Sequence, residues 1–199
     1  MPLTDQHKSS ISTIDILKTG QQRLRDHLLK DSPLKDILAS LIAIVEETSP
    51  DMRGAVFLIK PGTNLLFKEV APSIPDEVFD IMKDGSPLSG DGAPDGISRF
   101  VKGQVFTTNM AEDPTYTEFY KTAKQHGISA VWTQQIISKG KVIGVFSLFH
   151  DISRTPLKEA TDLLDIVSGL AGMAIEIKDS ESALKQNIVE QKGREEMLY

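Results

Sequence analysis

Groups able to do chemistry are few in this 199-residue chain, and none falls in a catalytic spacing. There is no cysteine, which excludes disulfides, thiol redox chemistry, thiolate metal sites and any cofactor attached through sulfur. His126 and His150 each stand without a second ligating side chain nearby, so no metal centre is expected. Ser129, Ser138 and Ser147 lack the glycine-flanked elbow that presents a serine nucleophile. Residues 84–96, DGSPLSGDGAPDG, hold four glycines and two prolines, and their backbone N–H groups could face an anion. No GxxxxGK[ST] pattern is present, so the stretch reads as a covering loop. No catalytic residue and no required cofactor emerge, and this fragment is not expected to be an enzyme.

The remaining chemistry is recognition, and it must be positioned by a sheet. Residues 127–149, GISAVWTQQIISKGKVIGVFSLF, contain two strand signals around a short polar turn, Ser138-Lys139-Gly140-Lys141. Val131, Trp132, Ile136 and Ile137 anchor the first strand. Gly144 interrupts the second, as glycine does at a bulge or a close backbone approach. An earlier hairpin is formed by Gly54–Lys60 and Leu65–Ala71 around Pro61-Gly62-Thr63-Asn64. A short strand is expected at Val105–Thr107. Short helices are expected after Pro75, at Ile97–Val101, and from Thr115 to about Gln125, the last presenting Tyr116, Phe119, Tyr120 and Ala123 on one face.

Three longer helices flank this sheet. Ile14, Leu17, Leu24 and Leu28 share one helical face, suited either to packing on the same chain or to half of a dimer seam. Ser32 with Pro33 reads as a cap and first turn for a helix over Leu34–Thr48, whose apolar stripe suits a sheet. The last helix starts near Leu157, after a Thr155-Pro156 cap signal, and continues toward the end of the sequence. Gly169 and Gly172 would allow close contact in its apolar first half. Beyond Lys178 it keeps a three–four spacing through Leu184, Ile188 and Leu198, as a coiled-coil linker would. Strands arriving as hairpins imply an α+β fold with an antiparallel sheet of five or six strands. The net charge of −6 leaves no footprint for nucleic acid or an anionic membrane surface. No membrane span or secretory pattern is visible, so a cytoplasmic location is the default expectation.

The runs GISRFVKGQVFTTNMAEDPTYTEFY (96–120), HGISAVWTQQIISKGKVIGVFSLFH (126–150) and PLKEATDLLDIVSGLAGMAIE (156–176) resemble the GAF domain family. The shared features are the glycine-led segment at Gly96 and Gly103, the Asp113-Pro114 turn, and a late hairpin carrying Ala130, Trp132, Ile136, Gly140 and Gly144. Gln135 stands where the family commonly has proline. The resemblance implies a GAF-like (PAS-like) sensory domain over 34–176, with a tail and signalling helix over 1–33. It also implies a helical linker over 177–199 leading to an output such as a histidine kinase or cyclic-di-GMP synthase. It implies a homodimer through Leu17, Leu24, Leu170, Ile177 and Leu184. It further implies a pocket for an unidentified small molecule, lined by Phe57, Phe100, Phe106, Tyr116, Phe119, Trp132 and Ser147, although these aromatics could equally fill a core. A structural dimerisation module without a ligand is the alternative. The family's N-K-x-F-x-x-x-D-E cyclic-nucleotide motif is absent, and bilin attachment and methionine-sulfoxide reduction both need the missing cysteine. His126 lies near the position of the axial ligand in haem-binding relatives, which makes it the one candidate for a haem-based gas or redox sensor.

Overall fold

The computed structural model describes residues 12–63, 65–84, 86–87 and 103–196. The expected helix at Ile97–Val101, Phe100, and most of the glycine-rich stretch 84–96 lie outside the described residues. Helices α1 (Thr13–Leu29) and α2 (Leu34–Thr48) lead into strands β1 (Met52–Ile59) and β2 (Leu65–Val70). A 3-10 helix, Asp76–Met82, precedes a two-residue strand β3 (Ser86–Pro87), and β4 (Val105–Thr107) follows. Next come α3 (Thr117–Ala123), flanked by single 3-10 turns, the long hairpin β5 (Ala130–Ser138) and β6 (Lys141–His150), and helix α4 (Lys158–Glu196). The strands form one antiparallel sheet in the order β3-β2-β1-β6-β5-β4, so the fold is α+β as expected.

The sheet separates two apolar layers. On one side α1, α2 and α4 pack through Leu24, Leu38, Leu41, Val167, Leu170 and Ala171 onto Val56, Trp132, Ile136, Phe146 and Leu148. On the other, Phe79, Met110, Tyr116 and Phe119 cover Ala55, Phe57, Val131, Val145 and Phe149. Residues i and i+2 of a strand share a face, so β1, β5 and β6 serve both layers with alternate side chains.

The β5–β6 turn uses Lys139 and Gly140, both at positive φ (50° and 73°), the two-residue geometry whose twist matches flanking strands. The pairing starts at Ser138 with Lys141 and Ile137 with Val142, then shifts to Ile136 with Gly144. The extra residue is Ile143, so the bulge suggested by Gly144 is present one position before it. Gly144 is required by its neighbours: a Cβ there would lie 2.3 Å from the Phe57 carbonyl oxygen on β1.

Some local expectations differ from the structure. Pro33, not Ser32, occupies the cap position of α2, and no side chain caps that end. Extended backbone at Pro33 (ψ 148°) starts the helix one residue later than the Ser32 signal implied. Helix α4 opens on backbone bonds from Ala160 and Thr161 to the Leu157 carbonyl, leaving Thr155-Pro156 in the preceding link. Helix α1 packs on its own chain: Gly20 sits against Leu170 and Ile44, and Leu24 is buried. At the far end of the helical layer the α1–α2 turn holds Asp31 at positive φ, where its carboxylate bonds Lys178 (2.7 Å) and Lys185 (3.4 Å) of α4.

The two α4 glycines are not equivalent. Gly172 faces β5, where a Cβ would lie 2.5 Å from the Ile137 carbonyl oxygen, whereas Gly169 has open space around it. Replacing Gly172 by alanine is expected to destabilise the chain by about 1–3 kcal/mol, because backbone clash outweighs helix propensity. Gly169→Ala is expected to stabilise it by about 0.5–1 kcal/mol through propensity alone. Urea unfolding of the two variants checks this opposition in sign.

Candidate functional site

The layer opposite the long helices is built around rings. Phe79, from the Asp76–Met82 3-10 helix, contacts Phe57 at 5.5 Å, Phe149 at 6.0 Å and Phe119 at 6.1 Å between ring centroids. Phe119 in turn meets Tyr116 at 6.3 Å and stacks on Phe149 at 6.1 Å. These distances are those of favourable edge-on and offset aromatic pairs. Each ring reaches the cluster for a local reason. Phe57 and Phe149 occupy inward positions of β1 and β6. Asp113 caps the turn before α3 by accepting the Thr115 N–H at 3.0 Å, which starts the segment carrying Tyr116 and Phe119.

One polar pair lies in this face. Thr133 and Ser147 are directly opposite on β5 and β6, fully buried, with their hydroxyl oxygens 2.9 Å apart. Two hydroxyls sharing one hydrogen bond leave one O–H donor unused, and no other hydrogen bond is made by either among the described residues. Ala55 on β1 is paired with Ser147, and Val105 on β4 with Thr133, so the pair lies in a transverse row of small side chains.

A cleft of about 300 Å³ leads toward the rings. Its walls are Phe67 and Lys68 of β2 and Asp76, Asp80 and Lys83 of the opposing turn, with Phe79 and Met82 at its inner end. Lys68 pairs with Asp76 and lies 5.6 Å from the Phe79 ring centroid. The hydrogen bond from Lys68, and then the charge of the same side chain, hold the Asp76 carboxyl below its usual pKa range.

Six of the seven expected lining residues are described, and they divide between the two faces; Phe100 lies outside the described residues. Phe57, Tyr116, Phe119 and Ser147 meet on the aromatic face. Trp132 and Phe106 lie on the helical face, in mutual edge-on contact at 6.3 Å. The bulge is the cause. Without it, the turn register would set Trp132 opposite Ser147, and directly opposed residues share a face. With it, Ser147 faces Thr133 and Trp132 faces Leu148. Phe79, Phe149 and Thr133 were missed. Phe149 could have been found from its spacing of two after Ser147, Thr133 only by carrying the bulge through the register.

His126 ends the short helical segment after α3, with Nε2 2.8 Å from the Glu77 carboxylate and its carbonyl accepting from Arg53. Those contacts tie His126 to the Asp76–Met82 helix and to Arg53 of β1. Among the described residues no group of three or more histidine and carboxylate side chains could hold a metal ion. Gln135 pairs with Val145 within the hairpin, where a proline would lack the N–H.

The Thr133–Ser147 pair gives a sharp expectation. Thr133→Val or Ser147→Ala alone strips the surviving hydroxyl of its partner and costs about 1–3 kcal/mol, whereas the double change costs less than the sum. A double-mutant cycle by urea unfolding measures the coupling.

Comparisons with known proteins agree on the architecture. Residues 31–176 match the sequence profile of the GAF domain. Over 169 residues the chain is 27% identical to a methyl sulfide methyltransferase-associated sensor of Methanosarcina acetivorans, covering 84% of this chain but only 17% of that relative. The GAF domain of a phosphoenolpyruvate-protein phosphotransferase from Coxiella burnetii superposes with a TM-score of 0.66 at 14% identity, covering 88% of this chain and 99% of that one. The nlh2 GAF domain of A. Aeolicus, in an inactive state, gives 0.62 at 13%, with 83% and 96% covered. With a family profile spanning residues 31–176, most of its length, this chain belongs to the GAF domain family.

Proposed function

We propose that this chain is a regulatory sensing module in which a small molecule at the aromatic face alters the seat of α4. The observation that carries this reading is the double use of β5 and β6. Val131, Thr133, Val145, Ser147 and Phe149 floor the aromatic layer, while Trp132, Ile136, Phe146 and Leu148, interleaved with them, carry the helices. A shift of either strand is therefore felt on both sides. The curated relative is named as a sensor, which supports the same direction. The ligand would be small, entering by the cleft, with an apolar or aromatic body against Phe79 and an acceptor for the spare Thr133–Ser147 proton. A regulatory, non-catalytic role fits this set of groups, and an output domain such as a histidine kinase or cyclic-di-GMP synthase would receive the signal.

The mutual packing of the five rings favours a second reading, a module whose pocket is filled and whose role is to hold two copies together. Native mass spectrometry of freshly purified protein, followed by thermal shift against small aromatic and polar metabolites, separates the two. A bound mass, or a stabilisation of about 2–3 kcal/mol at saturating compound that Thr133→Val weakens, supports sensing. No bound mass and no shift supports the filled module.

Dimerisation would use only part of the expected seam. Leu24 and Leu170 are consumed within the chain's own helical layer, whereas Met173, Leu184 and Ile188 of α4 are exposed and Ile177 is half-buried. Spaced by four, seven and four residues, Met173, Ile177, Leu184 and Ile188 form one stripe, with Leu17 of α1 exposed as well. Light scattering is expected to show a dimer that Leu184→Asp with Ile188→Asp converts to a monomer of unchanged helical signal. A wild-type monomer at every concentration excludes this seam.

A further inference from the structure

The link between β6 and α4 is held at Arg154. Its backbone N–H donates to the Thr108 carbonyl at 3.2 Å, just beyond β4. Its guanidinium pairs with Asp51, at the entry to β1, and lies 5.6 Å from the centroid of the Trp132 ring on β5. The root of the longest helix is thereby fastened beside three strands through one residue, by its backbone next to β4 and by its side chain at β1 and β5. Asp51 is itself positioned by the Ser49 hydroxyl, which together with Arg154 keeps its carboxyl below the usual pKa range.

Beneath the Arg154 contact the packing is incomplete in hydrogen bonds. His150, the last residue of β6, is fully buried, with its ring centroid 3.9 Å from that of Trp132. Among the described residues neither imidazole nitrogen of His150 has a hydrogen-bond partner, nor does Trp132 Nε1. A neutral imidazole carries one N–H donor and one acceptor, so three polar sites are left unpaired under one cation. Buried polar groups in folded chains are nearly always paired, and an exception calls for a reason. The closed arrangement gains an ion pair and a cation–π contact, and forfeits hydrogen bonds that water would supply on opening.

We propose that Arg154, Asp51, Trp132 and His150 form a latch at the root of α4, closed as described and open when Arg154 leaves the Trp132 ring and water reaches His150. The latch lies on the helical face and stands whether or not the aromatic face takes a ligand. Its opening frees the first turn of α4 from the sheet, so it sets how tightly movement of the strands is passed to the helix.

Protonation belongs to the open state. The charged groups bearing on His150 are Arg154 from the link and Asp51 from the start of β1; its cross-strand neighbours Met52 and Ala130 carry no charge. Burial first, then Arg154, lowers the His150 pKa from 6.5 to about 4, with Asp51 opposing. Hydration in the open state restores it toward 6.5. The closed state is therefore fully favoured above pH 6.5 and loses ground as pH falls from 6.5 toward 4, by up to roughly two orders of magnitude in population ratio.

Trp132 is the only tryptophan in the chain, so its fluorescence reports on the latch directly. Emission and acrylamide quenching are followed from about pH 8 to about pH 4.5, with far-UV circular dichroism recorded alongside. The expected result for the wild type is a red shift and rising quenching below about pH 6.5 while the far-UV signal holds. His150→Phe is expected to stay protected throughout, and Arg154→Gln to be quenched already at neutral pH. The same acid transition in His150→Phe, full protection in Arg154→Gln, or a fluorescence change that merely tracks loss of the far-UV signal would overturn the latch. Should His150→Phe fail to fold, Asp51→Asn with hydrogen exchange over residues 150–158 decides: faster exchange there at neutral pH supports the latch, and unchanged exchange rejects it.

Discussion

A side chain on β5 or β6 can face only one side of the sheet, and the inserted residue Ile143 decides which. Beyond that bulge every residue of the hairpin is assigned to a layer by parity. Thr133 and Ser147 go to the rings; Trp132 and Leu148 go to the helices. The bulge is tolerated because Gly144 lets the β6 backbone pass close to the Phe57 carbonyl, where any side chain would collide. One missing Cβ thus fixes the composition of both layers, the position of the buried hydroxyl pair, and the burial of His150 beneath the helical link. A register slip of one residue here would exchange the contents of the two cores, which is why the arrangement is so strongly specified by its hydrophobic pattern.

The helical layer and the ring layer are stabilised by different means. Helices α1, α2 and α4 contribute aliphatic side chains and one close backbone approach, at Gly172. The ring layer is organised by Phe79, which touches three other phenylalanines from a short 3-10 helix. A short helix has few backbone bonds of its own, so its position depends on those ring contacts and on the Lys68–Asp76 pair at its start. Elements of that kind open more readily than central strands. The cleft lies along this helix, so the easiest part of the ring layer to displace is also the part nearest its entrance.

The fold was legible in the sequence because its signals are local: two hairpin turns, a Pro-bounded helix at Leu34–Thr48, and a long apolar helix after the last strand. The cap errors at Ser32 and Thr155 are shifts of a residue or two: extended Pro33, rather than the Ser32 hydroxyl, sets the start of α2, and α4 opens on the Leu157 carbonyl. The candidate site was only half legible. Phe57, Tyr116, Phe119 and Ser147 could be assembled from family resemblance and local spacing. Trp132 and Phe106 could not be assigned to a side, because that required counting pairs through a bulge whose effect is felt several residues away. Leu24 and Leu170 carried the right spacing for a seam between chains. Nothing in spacing alone distinguishes that from a seam within one chain, and Gly20 against Leu170 shows which one was built.

The Asp31 contact gives α4 a mechanical character that its length alone would not. A helix of 39 residues extends about 58 Å, and roughly its first half is seated on the sheet and on α1. Asp31 grips Lys178 and Lys185, two residues spaced by seven and therefore on one side of the helix. That grip is a fulcrum. Tilting of the seated half would swing the far end in the opposite direction, whereas rotation about the helix axis would carry both lysines away from the carboxylate together. Movement of this helix is thus biased toward tilt over twist, and because the arm beyond the grip is shorter than the arm between the grip and the helix root, a tilt reaches the far end reversed in direction and reduced in size.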